Sequence, residues 1–232
     1  MMAMGAPRVR VKICCISSPQ EAELAIRYGA SALGLVSDMP SGPGVISEDK
    51  ILEIANQVPP GVASFLLTCK QDAALIVAQQ RRCRTNTLQI VDRLPAGCHR
   101  ELRRCLPGIG IVQVVHVTGP ESVDEALTVA SEVDALVLDS GNPTLPLKEL
   151  GGTGRVHNWA LSRAIREQIP VPVFLAGGIG PHNVRRAIEE VGPFGIDLCT
   201  SVRTDGKLDE GKLESLFASL CLISNRSPDS PT

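Results

Sequence analysis

The chain has 232 residues, 44% hydrophobic and 21% charged, which suits one large α/β domain with its own core and falls short of two. A formal net charge of −2 and an aromatic content of 3% exclude the basic footprint and the stacking platforms that nucleic-acid binding needs. No apolar run approaches the ~20 residues of a membrane helix, and residues 1–10 lack the apolar centre of a signal peptide, so a soluble cytoplasmic protein is expected.

After residues 1–8, expected to be a flexible N-terminus, short β-branched runs alternate with helical patterns. The first run covers residues 9–16, and Pro19 then opens a helix that Gly29 closes. A second strand covers 32–37, and Ser47, followed by Glu48 and Asp49, caps a helix reaching residue 58. Strands over 62–68, 87–92 and 109–117 follow, each leading into a helical stretch. Strands over 135–140, 171–179 and 195–201 complete the series, with Pro181 opening the helix after the seventh. The last helix covers about 209–222, and the Ser/Pro-rich tail 223–232 is expected to be disordered.

Strand–helix units in this rhythm imply a parallel sheet, either open and doubly wound or closed into a barrel. Eight units in one short chain fit a single-domain (β/α)8 barrel, the TIM barrel, over residues 9–222. No G-x-G-x-x-G follows the first strand, which argues against an open dinucleotide-binding sheet.

In such barrels chemistry sits at the C-terminal ends of the strands. Gly177-Gly178 after the seventh strand lets backbone N–H groups approach an anion, and Thr200 and Ser201 add hydroxyls from the eighth. Together they match the phosphate site common to this place in the fold, although a lone glycine pair more often makes only a tight turn. Gly151-Gly-Thr-Gly154 lies in a long loop over 141–156, suited to a flap that excludes water, or else simply mobile. Asp139 follows four apolar residues, so burial would favour its protonated form and a general-acid role, the alternative being a helix cap. Cys14 ends the first strand, where a nearby cation such as Lys12 could make the thiol a base, the alternative being a packed core cysteine.

The eight cysteines show no C-x-x-C and no zinc-finger spacing, so they read as free thiols, with no metal expected. His116 and His157 are further acid–base candidates, although a histidine at a barrel end is more often a structural hydrogen bonder. His99 and His182 are expected on helix surfaces. Arg81, Arg82 and Arg84, like Arg103 and Arg104, read as solvated helix faces.

The segments V-K-I-C, D-A-L-V-L-D-S, G-G-T-G-R, L-A-G-G-I with P-x-N-V, and G-I-D-L together resemble the phosphoribosylanthranilate isomerase family of tryptophan biosynthesis, over about residues 9–220 and in order. The resemblance implies an Amadori rearrangement of a phosphorylated aminoaldose to an aminoketose, with Cys14 as base, Asp139 as acid and no cofactor. It implies phosphate binding around Gly177, Gly178, Thr200 and Ser201, and a covering loop at Gly152 to Gly154. Lys12 and Gln89 complete the expected substrate-binding set. The expected partner is a small phosphorylated substrate, without nucleic acid or membrane, on a monomer or homodimer.

The chain also departs from the family's motifs. Cys15 stands where the first motif continues with Gly, and Ser41-Gly-Pro-Gly44 replaces a segment with a basic residue that helps hold the anthranilate carboxylate. The fourth strand reads Gln89-Ile-Val-Asp92 for Q-L-H-G, and Cys199-Thr-Ser-Val-Arg203 replaces S-S-G-V-E. Arg203 is a candidate replacement cation at the mouth. Another phosphorylated aminosugar as substrate, or a barrel that binds a phosphometabolite without turning it over, are the alternatives.

Overall fold

The alternating runs close into one ring. The computed structural model describes residues 9–224, and the expectations for residues 1–8 and 225–232 lie outside that range. Within it, eight parallel strands form a closed barrel in chain order. They are β1 (Arg10–Ile13), β2 (Ala32–Val36), β3 (Ala63–Thr68), β4 (Thr87–Ile90), β5 (Gly110–His116), β6 (Ala135–Asp139), β7 (Val173–Leu175) and β8 (Gly195–Leu198). The ring is sealed between β1 and β8, with Lys12 opposite Asp197 and Ile13 opposite Leu198. The helices are α1 (Pro19–Tyr28), α2 (Glu48–Ala55), α3 (Ala73–Cys83), α4 (Cys98–Cys105), α5 (Glu121–Ala130), α6 (Trp159–Gln168), α7 (Val184–Val191) and α8 (Glu210–Ser224).

Local chemistry sets these boundaries. Ser18 caps α1 by accepting from the Glu21 N–H at 3.2 Å, Pro19 fits the first turn, and Gly29 ends the helix in the left-handed region. Ser47 caps α2 in the same way. The apolar runs are longer than the hydrogen-bonded strands, most of all at β7, because their C-terminal ends leave the ladder as loops that build the mouth. α7 starts at Val184 rather than Pro181. Asn183 accepts from the Gly180 N–H and donates to the Gly178 carbonyl, both at 2.9 Å, so a side-chain turn precedes the helix. At the other end, α8 runs two residues into the segment expected to be disordered.

Strand residues alternate between two cores. Ile13, Leu33, Leu66 and Leu88 face outward onto the helices. Phe65, Val112, Val137 and Phe174 face inward. Phe65 and Phe174 meet edge to face at 6.0 Å, and Gly195 leaves space for the Phe174 ring, which a Cβ would meet at 2.6 Å. Further toward the strand ends the interior turns polar. Lys12 is fully buried there, donating to Asp197 at 2.7 Å with its ammonium 5.3 Å from the Phe65 ring. Among the described residues no helix is long and apolar enough to cross a membrane.

Candidate active site

The strand ends open into a cleft of about 750 Å3, mouth included. Its floor is apolar, made by Val36, Leu67, Val91, Val114 and Val137. Its polar rim holds Cys14, Gln89, Asp139, Gly152, Gly154, Gly177, Gly178, Thr200 and Ser201, so nine of the ten residues singled out from sequence line one cavity. Lys12 is the exception. It lies beneath the cleft, bonded to Asp197, which does line it.

Cys14 and Asp139 sit three strands apart around the ring, on opposite sides of the cleft. The Cys14 N–H donates to Leu198 at 2.7 Å, fixing its backbone to the β8 end. Its thiol is held below the usual cysteine range by the adjacent Cys15 thiol, with the Lys12 charge assisting, both working against burial. Cys15, whose thiol donates to the Pro43 carbonyl at 3.5 Å, is pushed well above that range by the neighbouring thiols of Cys14 and Cys199 and by burial. Lys12 is held charged: burial disfavours the ammonium, and Asp197 together with the two thiols outweighs it. Asp139 is buried, with Oδ1 accepting from the Ser140 N–H at 2.7 Å.

Between Cys14 and Asp139, at the β7 and β8 ends, is an anion cradle. The N–H groups of Gly177 and Gly178 have no acceptor among the described residues. The Ser201 hydroxyl, the Gln89 Oε1 and the Asp197 Oδ1 are buried without a partner there, and all three residues line the cleft. Buried polar atoms are nearly always paired, so orphans gathered around one cavity mark where a polar ligand completes the network. Thr200–Val202 form a 3-10 turn that carries Thr200 and Ser201. The helix end contributes less than its sequence suggests, because the Val184 N–H already donates to Gly180.

A covering loop after β6 closes the top. Asn142 and Glu149 exchange backbone hydrogen bonds, Lys148 pairs with Asp92 at 2.6 Å, and the Ser41 hydroxyl donates to the Lys148 carbonyl at 2.5 Å. The Ser140 and Thr153 hydroxyls meet at 2.7 Å. Gly152 lies so close to Pro43 that a Cβ would stand 2.5 Å from its Cδ, and at φ 67° a side chain would also be strained. The loop is thus tied to the β2 and β4 ends.

Other candidates lie elsewhere. His116 is buried with Nε2 bonded to the Val91 carbonyl at 3.0 Å, outside the cleft lining. His157 bonds Ser162 at 2.7 Å, also outside it, with its imidazole pushed down to about 4 by burial. His99 is a correction: instead of a surface residue it is buried, pairing with Gln113 at 2.9 Å. Arg203 is a second. It is buried and paired with Glu21 at 3.0 Å, and it is absent from the cleft lining, as are all lysines and arginines of the described residues. The cysteines of the described residues are free, and no cluster of three metal-ligating side chains occurs among those residues.

A barrel whose mouth sets a thiol and a carboxyl face to face beside an anion cradle has the build of a phosphosugar-handling (β/α)8 enzyme. The family model for N-(5'phosphoribosyl)anthranilate (PRA) isomerase matches residues 11–219. The chain is 32% identical to the N-(5'-phosphoribosyl)anthranilate isomerase of Thermosynechococcus vestitus over 95% of its length and 93% of the relative's. It is also 32% identical to that of Halobacterium salinarum, over 90% and 94%. The crystal structure of phosphoribosyl anthranilate isomerase from Thermotoga maritima superposes with a TM-score of 0.79 at 26% identity, covering 92% of this chain and 98% of that one. The chain belongs to the N-(5'-phosphoribosyl)anthranilate isomerase family. It is an isomerase of tryptophan biosynthesis.

Proposed function

We propose that the chain converts N-(5'-phosphoribosyl)anthranilate to its aminoketose with Cys14 as base and Asp139 as acid. Asp139 donates a proton to the ring oxygen as the C1–O bond breaks, and the nitrogen lone pair forms the C1=N bond of a protonated Schiff base. The Cys14 thiolate removes the C2 proton, and the electron pair of that C–H bond moves into C1=C2 while the nitrogen becomes neutral. The resulting enol then becomes the C2 ketone by taking a proton at C1 as its C2 hydroxyl gives one up. Acid and base must stand on different sides of the sugar, which placement three strands apart supplies.

The single observation that carries this reading is that the Cys14 thiol and the Asp139 carboxyl, three strands apart, line one cleft. The free N–H groups of Gly177 and Gly178, with Thr200 and Ser201, hold the phosphate, and Gln89 and Asp197 hold sugar hydroxyls. Gly152 and Gly154 belong to the loop that keeps water from the Schiff base. The small phosphorylated substrate is met in the cytoplasm. Steady-state assay of Cys14→Ser and Asp139→Asn tests the assignment: both are expected to lose kcat by roughly 100-fold or more while remaining folded. Near wild-type turnover by either variant would remove that residue from its role.

A further inference from the structure

Cys15, next to the Cys14 thiol, has φ 63°, a conformation side chains rarely adopt. Such a residue costs on the order of 1–3 kcal/mol and persists only where its neighbours over-determine it. Gly44 makes room for it, since a Cβ at position 44 would overlap the Cys15 Cβ and stand 3.0 Å from its Sγ. From the other side Arg203, 7% exposed, donates through Nη2 to the Cys15 carbonyl at 2.5 Å and the Cys14 carbonyl at 3.3 Å. Glu21 fixes the guanidinium with contacts at 3.0 and 3.1 Å, and itself accepts the Ser17 and Leu208 N–H groups at 2.9 and 2.8 Å.

We infer that Arg203, paired with Glu21, is a positioning residue that holds the left-handed bend at Cys15 and thereby fixes where the Cys14 thiol stands in the cleft. The inference rests on Cys14 being the base. A guanidinium serves because its planar fork reaches two carbonyls and a carboxylate together, which a lysine ammonium on a flexible stem does not. Cys15, Gly44 and Arg203, three departures from the family's motifs, thus form one structural unit: a side chain at the bend, the space for it, and the group that restrains it.

The test compares Arg203→Lys with wild type, and repeats the comparison in a Cys15→Gly background, where glycine takes the bend without strain. Two quantities are read: kcat and KM for phosphoribosylanthranilate, and the rate of Cys14 alkylation by iodoacetamide against pH, which requires no turnover. The charged and titratable groups facing the thiol are Lys12, Asp197 and Cys15. Arg203→Lys is expected to lower kcat by roughly 10–100-fold with KM within about threefold, and to move the alkylation midpoint upward as Cys15 loses its place beside Cys14. In Cys15→Gly the same change is expected to cost less than about threefold. Equal losses in both backgrounds, or unchanged kcat and alkylation in Arg203→Lys, would overturn the inference. Should Arg203→Lys not fold, Glu21→Gln carries the same comparison. Retained kcat in Cys14→Ser would instead remove Cys14 from catalysis, while alkylation still decides whether Arg203 places it.

Discussion

Gly34 stands across the β1–β2 ladder from the Cys14 thiol, so close that a Cβ on it would lie 2.6 Å from the sulfur and 3.0 Å from the Lys12 ammonium. Neither neighbour can retreat. Lys12 is fully buried against Asp197, and the Cys14 backbone is tied to Leu198. Gly34→Ala is therefore expected to destabilise the barrel by about 1–3 kcal/mol and to lower kcat by roughly 100-fold through displacement of the thiol. Urea unfolding and steady-state kinetics check the two effects separately. A stable variant with wild-type kcat would show that the thiol tolerates movement.

Among the described residues the cleft holds two carboxylates, Asp139 and Asp197, and neither a lysine nor an arginine lines it. The carboxylate of the anthranilate moiety has no cation to meet there. An analogue lacking that group, N-(5'-phosphoribosyl)aniline, is expected to be processed with kcat/KM within roughly tenfold of the anthranilate compound, a difference below about 1.4 kcal/mol. A loss of several hundredfold would mean that a cation from outside the cleft enters it on binding.

His157 supplies a pH dependence of stability. Its imidazole, ordinarily near 6.5, is pushed down to about 4 in the folded protein, so below pH 6.5 the unfolded chain binds more protons. The stability it contributes is complete above pH 6.5 and is lost progressively toward pH 4, at most about 3 kcal/mol and less where solvent screens it. His157→Gln, which can still bond Ser162, should flatten the urea midpoint between pH 6.5 and 4. An unchanged slope would assign the acid sensitivity to other groups.

Lys148 latches the covering loop to the buried Asp92 at the end of β4. Because the lysine is partly exposed, the pair contributes modestly, and Lys148→Ala is expected to reduce kcat/KM by roughly 3–10-fold rather than abolish turnover. Limited proteolysis within residues 142–149 should accelerate in parallel. Faster cleavage without any kinetic change would separate loop order from catalysis.

Most of the cleft was legible from sequence because strand ends are local. An apolar run that stops at Asp139, or at glycines before a turn, announces itself within a few residues. What escaped depended on closure. Lys12 reads as a residue beside Cys14, yet its partner Asp197 lies 185 positions away, and only ring register sets them opposite one another. Arg203 reads as a free cation at the mouth for the same reason: Glu21 and the Cys15 carbonyl are just as distant in the chain. His99 follows a similar logic, its polar helix concealing one position turned inward onto Gln113. The start of α7 was missed through local chemistry, since Asn183 bonds backward to the glycine loop and makes Pro181 part of a turn.

The seam between β1 and β8 joins the first strand of the ring to the last. The proposed base comes from one side of it and half of the proposed phosphate cradle from the other. A ribosome-bound chain that has emerged as far as α7 already carries Cys14 and Asp139, yet it has neither Asp197 beside Lys12 nor the hydroxyls of Thr200 and Ser201. Turnover during synthesis should consequently appear as a step when the eighth unit docks, rather than growing with length. Tryptophan supply would then depend on finished molecules only, and a prematurely terminated chain would be silent instead of partly active.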